Sequence, residues 1–201
     1  MKIAGGKIMV IHLKKKSLSI IAVLLFSLFF IPEVYALKIS AGIKGGLGLS
    51  NLVNADNTKV KLAGNLGAIC DIQFNNWLVC EVFLGWRNMG YRYDDGALSE
   101  RIELNYFHFE PVAKIFFSLS GTRFYAIIGG YVSGIMSSSG ASRSAHTDVG
   151  CTLGIGINLK LSEKFHLLIE TNGNFGFRSV PFGGGRNIAG YLSAGLLFDL
   201  N

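Results

Sequence analysis

The sequence predicts an all-β chain: an eight-stranded antiparallel up-and-down β-barrel that crosses a membrane, preceded by a cleaved signal peptide. Three observations carry this. Successive segments alternate apolar with small or polar residues at a period of two, which places alternate side chains on opposite faces of a strand. The segments are longer than the roughly 5–6 residues of an ordinary strand and reach the roughly 9–11 that a bilayer requires. The connections between them alternate between long and short, as in barrels with long outer loops and short inner turns.

Val149–Leu161 shows the pattern most plainly. Val149, Cys151, Leu153, Ile155, Ile157, Leu159 and Leu161 form one face, and Gly150, Thr152, Gly154, Gly156, Asn158 and Lys160 the other. A sheet facing bulk water would carry Lys, Glu and Thr on its polar side. Glycines suit a confined interior, so lipid is expected on one face and a narrow lumen on the other.

Composition fits one domain. Of 201 residues, 50% are hydrophobic and 16% charged, with 26 glycines and 3 prolines. The net charge of +6 comes mostly from the leader. Residues 1–36 hold five of the 19 basic residues (Lys2, Lys7, Lys14, Lys15, Lys16) and one of the 13 acidic ones, Glu33, leaving 14 against 12. The basic balance therefore gives no support for a nucleic-acid partner.

Lys14-Lys15-Lys16 precede an apolar run from Leu18 to Ile31, Pro32 breaks it, and Val34-Tyr35-Ala36 supplies small residues where a signal peptidase reads. This order predicts a signal peptide over residues 1–36, cleaved after Ala36, and a barrel domain over 37–201. Met9 offers an alternative start that brings the charges close to the N-terminus.

The first strand is expected over Lys38–Leu49, with Ile39, Ala41, Ile43, Leu47 and Leu49 outward and Lys44 inward. The second, Val60–Phe74, turns Asn65, Asp71 and Gln73 inward, and Asn75-Asn76 makes a tight turn. The third runs from about Trp77 to Arg92, with Glu81 and Arg87 inward. The fourth, Ile102–Phe117, turns His108, Glu110, Val112 and Lys114 inward; Pro111 cannot donate to a ladder, so a bulge is expected there. The fifth, Thr122 to about Met136, has the weakest phase because both faces are apolar or glycine. The sixth is Val149–Leu161. The seventh, Phe165–Phe177, turns His166, Glu170, Asn172 and Asn174 inward, and the eighth is Asn187–Leu200. Aromatic girdles are expected from Phe74, Trp77, Phe116, Phe117 and Phe165 near the short turns, and from Trp86, Tyr91, Tyr93, Phe175 and Phe177 near the long loops.

Several segments resemble a known family. They are GIKGGLGLSNL at Gly42–Leu52, EVFLGWRNMGYRYDD at Glu81–Asp95, LNYFHFEPVAKIFF at Leu104–Phe117 and FYAIIGGYVSGIM at Phe124–Met136, with Asn105-Tyr106 and Pro111 the most telling. Together they make Leu37–Asn201 similar to the outer-membrane protein β-barrel domain family, often labelled porin family proteins. The resemblance implies a small closed barrel in the outer membrane of a bacterial cell. It implies location more than activity. The C-terminal Phe198-Asp199-Leu200-Asn201 departs from the aromatic end that such barrels often carry.

Catalysis needs groups converging on one point. His108 with Glu110 and His166 with Glu170 are the candidates, and no serine is placed by spacing beside either. No enzyme is expected. Glu81, Arg87, His108, Glu110, Lys114 and Glu170 are instead expected to form a polar network in the lumen, joined on the same face by Asp71, Asp148, Lys160 and Asp199. No cofactor or metal site is expected. Cys70 and Cys80 face the same side around the Asn75-Asn76 turn, as lipid-facing thiols or as a cross-strand disulfide. The expected partners are outer-membrane lipid and the barrel-assembly machinery, with loops free to bind an extracellular ligand, and a monomer is expected. Two other readings share these features. A lipid-modifying barrel enzyme would require a Ser/His/acid cluster, and a soluble secreted lipid-binding barrel would carry its apolar face inside.

Overall fold

The computed structural model describes residues 37–94, 96, 99–117, 122–139, 147–180 and 184–200. The expected cleavage after Ala36 and the loop residues 95, 97–98 and 140–146 lie outside these residues. Among the described residues the strands are β1 (Lys38–Val53), β2 (Thr58–Lys59), β3 (Lys61–Gln73), β4 (Leu78–Asp94), β5 (Ser99–Phe116), β6 (Arg123–Ser139), β7 (Thr147–Lys160), β8 (Phe165–Ser179) and β9 (Arg186–Asp199).

Each long strand pairs antiparallel with its sequence neighbour, and β9 returns to β1 from Ser40↔Asp199 to Val53↔Arg186. Eight staves therefore close into a barrel with no free edge, the condition for placing a sheet in lipid. The two-residue β2 stands outside this ring and pairs with Arg92 and Tyr93 of β4.

Alternation then sorts the side chains. In β9 every odd-numbered residue from Asn187 to Asp199 is buried, and those between face out. The outer face is apolar and open: Leu47 is 68% exposed, Leu192 64% and Ile155 61%. β6, ambiguous by composition, resolves the same way, with Tyr125, Ile127, Tyr131 and Ser133 inward and Phe124, Ile128 and Val132 outward.

The lumen holds more apolar side chains than the sequence reading assigned. Val79, Val112, Phe116, Tyr125 and Ile127 pack together at the end with the short turns. Ile69, Phe83, Leu168 and Leu197 form a second cluster. At the loop end, Leu52, Met89, Tyr91, Ile102, Leu104 and Tyr106 pack with Val180, Ala189 and Tyr191. Phe116 and Tyr91 are thus interior residues at 5% exposure each, not members of the girdles. Their odd or even position, rather than their nearness to a strand end, decides this.

Three further expectations are corrected. Pro111 marks no bulge: it pairs with Val82, and the β5–β6 register is the same on either side of it. The register shift lies instead between Asn105 and Tyr106. Lys160 is exposed at the end of β7 and is not part of the interior set. The turn after β3 is wider than a two-residue hairpin. Gln73 still pairs with Val79, and Asn75 Oδ1 accepts from the N–H groups of Trp77 and Leu78 at 3.0 and 2.8 Å. This register sets Cys70 opposite Val82 and Cys80 opposite Ile72, and all three cysteines are free thiols.

The β4–β5 hairpin outruns its neighbour. β5 follows β4 as far as Asp94↔Ser99, whereas β3 leaves β4 at Gly64↔Asn88. The carbonyls exposed by that departure are taken by side chains. Tyr191 Oη donates to Asn88 O at 3.1 Å, Lys61 Nζ to Met89 O at 3.1 Å and Ser50 Oγ to Gly90 O at 2.9 Å. An unpaired backbone acceptor at this depth would cost about as much as a lost hydrogen bond. Gly90 sits at φ +126°, and a Cβ there would lie 2.2 Å from Ile102 O, so only glycine fits this bend.

Candidate functional site in the barrel interior

The inward polar side chains gather in two linked groups. The first draws on six staves. Lys44 of β1 pairs with Glu81 of β4 and, at 2.7 Å, with Glu170 of β8. Lys114 of β5 pairs with Glu81, with Glu170 at 3.2 Å and with Asp71 of β3 at 3.3 Å. Tyr125 of β6 donates to Glu170 Oε1 at 2.8 Å. Two ammonium groups thus sit among three carboxylates, all of them buried and Asp71 the most open at 7% exposure.

The second group centres on Glu110 of β5. Its Oε2 lies 2.9 Å from Arg87 Nη1, 2.8 Å from Thr152 Oγ1, 2.7 Å from Asn174 Nδ2 and 3.1 Å from His108 Nε2. Arg87 Nη1 also donates to Asn174 Oδ1 at 2.6 Å. The guanidinium stacks between Phe83 and Tyr191, 5.3 and 4.8 Å from the ring centroids. Toward the loop end, Asn187 Nδ2 donates to Asp148 Oδ2 at 2.8 Å and Tyr131 Oη to the same oxygen at 3.2 Å. At the turn end, Asp199 accepts from Ser40 at 2.6 Å and pairs with Lys38 at 2.5 Å, with His166 Nε2 at 3.2 Å.

Of the six residues singled out from sequence, Glu81, Lys114 and Glu170 fall in the first group and Arg87, His108 and Glu110 in the second. Lys44, Tyr125, Thr152 and Asn174 join them. Their inward parity marked them as candidates, but parity does not say which inward groups meet.

Sequence reasoning missed Ser133. It lies directly opposite His108 in the β5–β6 ladder, with Oγ 2.5 Å from Nδ1. Ser133, His108 and Glu110 therefore stand in the order nucleophile, base and orienting acid. The line is sealed, however. Ser133 and His108 are 0% exposed and Glu110 1%. A hydrolytic serine needs space for a substrate carbonyl and donors for its oxyanion. Here the neighbouring positions are filled by Tyr131, whose ring centroid is 4.9 Å from that of His108, and by Phe83 at 6.1 Å. Among the described residues, no group of three His, Cys, Asp or Glu side chains is placed to hold a metal.

Comparison with known proteins places this architecture. The profile of the outer membrane protein beta-barrel domain matches residues 21–192. A major outer membrane protein of Thermus thermophilus is similar in structure, with a TM-score of 0.55 at 10% identity over 83% of this chain and 100% of that one. Neisserial surface protein A gives 0.54 at 13% identity over 81% and 97%. OprG of Pseudomonas aeruginosa gives 0.51 at 12% identity over 82% and 95%. These likenesses are of fold. No curated protein matches the sequence.

Proposed function

Since the chain belongs to the outer membrane protein beta-barrel domain family and is an integral protein of the bacterial outer membrane, we propose that it acts as a sealed, non-enzymatic barrel whose loops form a binding surface. The observation that carries this reading is the filled cross-section. Side chains of β1, β3, β4, β5, β6 and β8 meet around Glu81, Lys114 and Glu170, and apolar clusters pack elsewhere in the lumen. Eight staves leave an interior that side chains alone can fill, whereas open pores use about 16–18. Separating these charges to admit water would leave ions unpaired in a site of low dielectric.

The enzyme reading has one observation in its favour, the Ser133–His108–Glu110 line. Full burial argues against it, because a catalytic serine must touch its substrate. The barrel is taken to insert through the assembly machinery as a monomer, with lipid around it and the long loops outside. An extracellular ligand would meet those loops. Single-channel recording of the refolded protein in planar bilayers tests the sealed state. No stable conductance is expected, and large reproducible steps would overturn it.

A further inference from the structure

The seam between β1 and β9 differs from the other seven. Those join staves that follow one another along the chain, whereas this one joins the first stave to the last, with Ser40 reaching Asp199 from 159 positions away. Closing so long a loop costs entropy, and no short turn holds these two strands together. The inner side of the seam is also nearly bare. Gly42, Gly46 and Gly48 share the inward parity of Ser40 and Lys44. A Cβ on them would lie 1.9, 2.3 and 2.0 Å from the carbonyl oxygens of Leu196, Leu192 and Gly190. The two backbones therefore approach too closely for inward side chains to pack between them.

Two polar straps hold the seam from inside. Midway along it, Asn65 Nδ2 of β3 donates to Ser193 Oγ of β9 at 3.1 Å, over Gly46, which stands directly opposite both residues. At the turn end Asp199 is the hub. Lys38 Nζ lies 2.5 Å from its Oδ2, and Ser40 donates to its Oδ1 at 2.6 Å. From the other side, His166 of β8 sets Nε2 3.2 Å from Asp199 Oδ2 and Nδ1 3.0 Å from Asn158 Oδ1 of β7. Among the described residues, Lys38 and Ser40 are the only side chains of β1 with a hydrogen bond or ion pair to a side chain of β9, and both end on Asp199.

The same clasp is where the seam can give. A cavity of about 40 Å³ lies beside it, with Lys38, Ser40, Asp71, His166 and Asp199 in its wall. The Lys38 side chain is 41% exposed. Water can therefore replace the partners of Asp199 without crossing the packed lumen. These partners meet a carboxylate through charge-assisted bonds, which lose most when the charge is removed.

We propose that Asp199 is the latch of the closing seam, and that its release lets the turn-end halves of β1 and β9 part while the remaining staves stay paired. A local opening of this kind is governed by the few bonds broken at the site, not by the stability of the whole barrel. The latch is independent of the sealed lumen, since a conducting barrel would be closed by the same clasp.

The test is peptide-resolved amide hydrogen exchange on the full barrel refolded in detergent micelles. In Asp199→Asn, amides around Ala41 and Leu197 should exchange about tenfold faster, the scale of one lost hydrogen bond to a charged group. Those of the β5–β6 ladder should keep the parent rate. Lys38→Met with Ser40→Ala should act in the same direction with Asp199 intact, and carries the same comparison should Asp199→Asn not refold. Thr152→Ala, which removes a buried bond between β7 and Glu110 of β5, should leave exchange at the seam unchanged. Rescue separates a latch from general stabilisation. In a cysteine-free background, Ala41→Cys with Phe198→Cys places two thiols directly opposite each other across the seam, and Ala126→Cys with Ile155→Cys does so between β6 and β7. A short thiol-to-thiol linker across the first pair should restore slow exchange to the Asp199→Asn barrel, and one across the second should not. Unchanged seam exchange in Asp199→Asn, a rise shared equally by the β5–β6 ladder, or equal rescue by both linkers would each overturn the proposal.

Discussion

Ser133 Oγ and His108 Nδ1 lie 2.5 Å apart across the β5–β6 ladder, while His108 Nε2 faces Glu110 at 3.1 Å. Both imidazole nitrogens are therefore engaged, and the hydroxyl points into a packed interior. The arrangement orders the histidine between two strands and supplies a partner to each buried polar atom, the ordinary requirement inside a barrel.

The first expectation follows from that burial. A fluorophosphonate probe, which labels activated serines, should leave Ser133 unmodified in the folded barrel. Ser133→Ala should cost about 1 kcal/mol of stability, the scale of one buried hydrogen bond. Stoichiometric labelling of Ser133 would reopen the enzyme reading.

Lys114 should be the most costly single charge to remove. Lys114→Met leaves Glu81, Asp71 and Glu170 with Lys44 as their remaining cation. Breaking such a set from one side costs about 3–5 kcal/mol. Urea unfolding from lipid vesicles would report this as a lower midpoint. Adding Glu81→Gln should recover part of the loss, because the two residues share partners and their effects do not add.

Tyr125 lies across the glycine directly opposite it. A Cβ at Gly156 would sit 2.5 Å from the Tyr125 ring, and that ring's hydroxyl holds Glu170 at 2.8 Å. Gly156→Ala should cost about 1–3 kcal/mol through forced repacking. Gly134, on the outer face, has nothing within 4 Å of a built Cβ, so Gly134→Ala is expected to be nearly neutral and serves as the control.

Orientation is checked by labelling. In a cysteine-free background, Asp56→Cys between β1 and β2 should react with a membrane-impermeant maleimide on intact cells. Glu163→Cys in the turn between β7 and β8 should react only after the outer membrane is opened. Both positions are exposed, so access alone separates them. The reverse pattern would turn the barrel over.

Parity along each strand was legible in the sequence, because side chains in a strand alternate without exception unless the backbone bulges. Glu81, Arg87, Glu110, Lys114 and Glu170 were placed inward by that rule, and Leu47, Leu153 and Leu196 outward. Strand length and the long and short connections then made an even-numbered closed barrel the consistent architecture. What parity cannot supply is register, or which staves face one another across the lumen. Lys44 meets Glu170 from 126 positions away, on staves that share no edge. The interior roles of Phe116 and Tyr91 were hidden for a related reason, since an aromatic near a strand end reads as a girdle residue until its parity is traced. Ser133 is the sharpest case. Before the shift between Asn105 and Tyr106 the ladder pairs Asn105 with Ser137, a register that would set His108 opposite Gly134. One extra residue in β6 brings Ser133 there instead. No local pattern encodes that step, because a bulge is settled by how two strands fit against each other when the barrel closes.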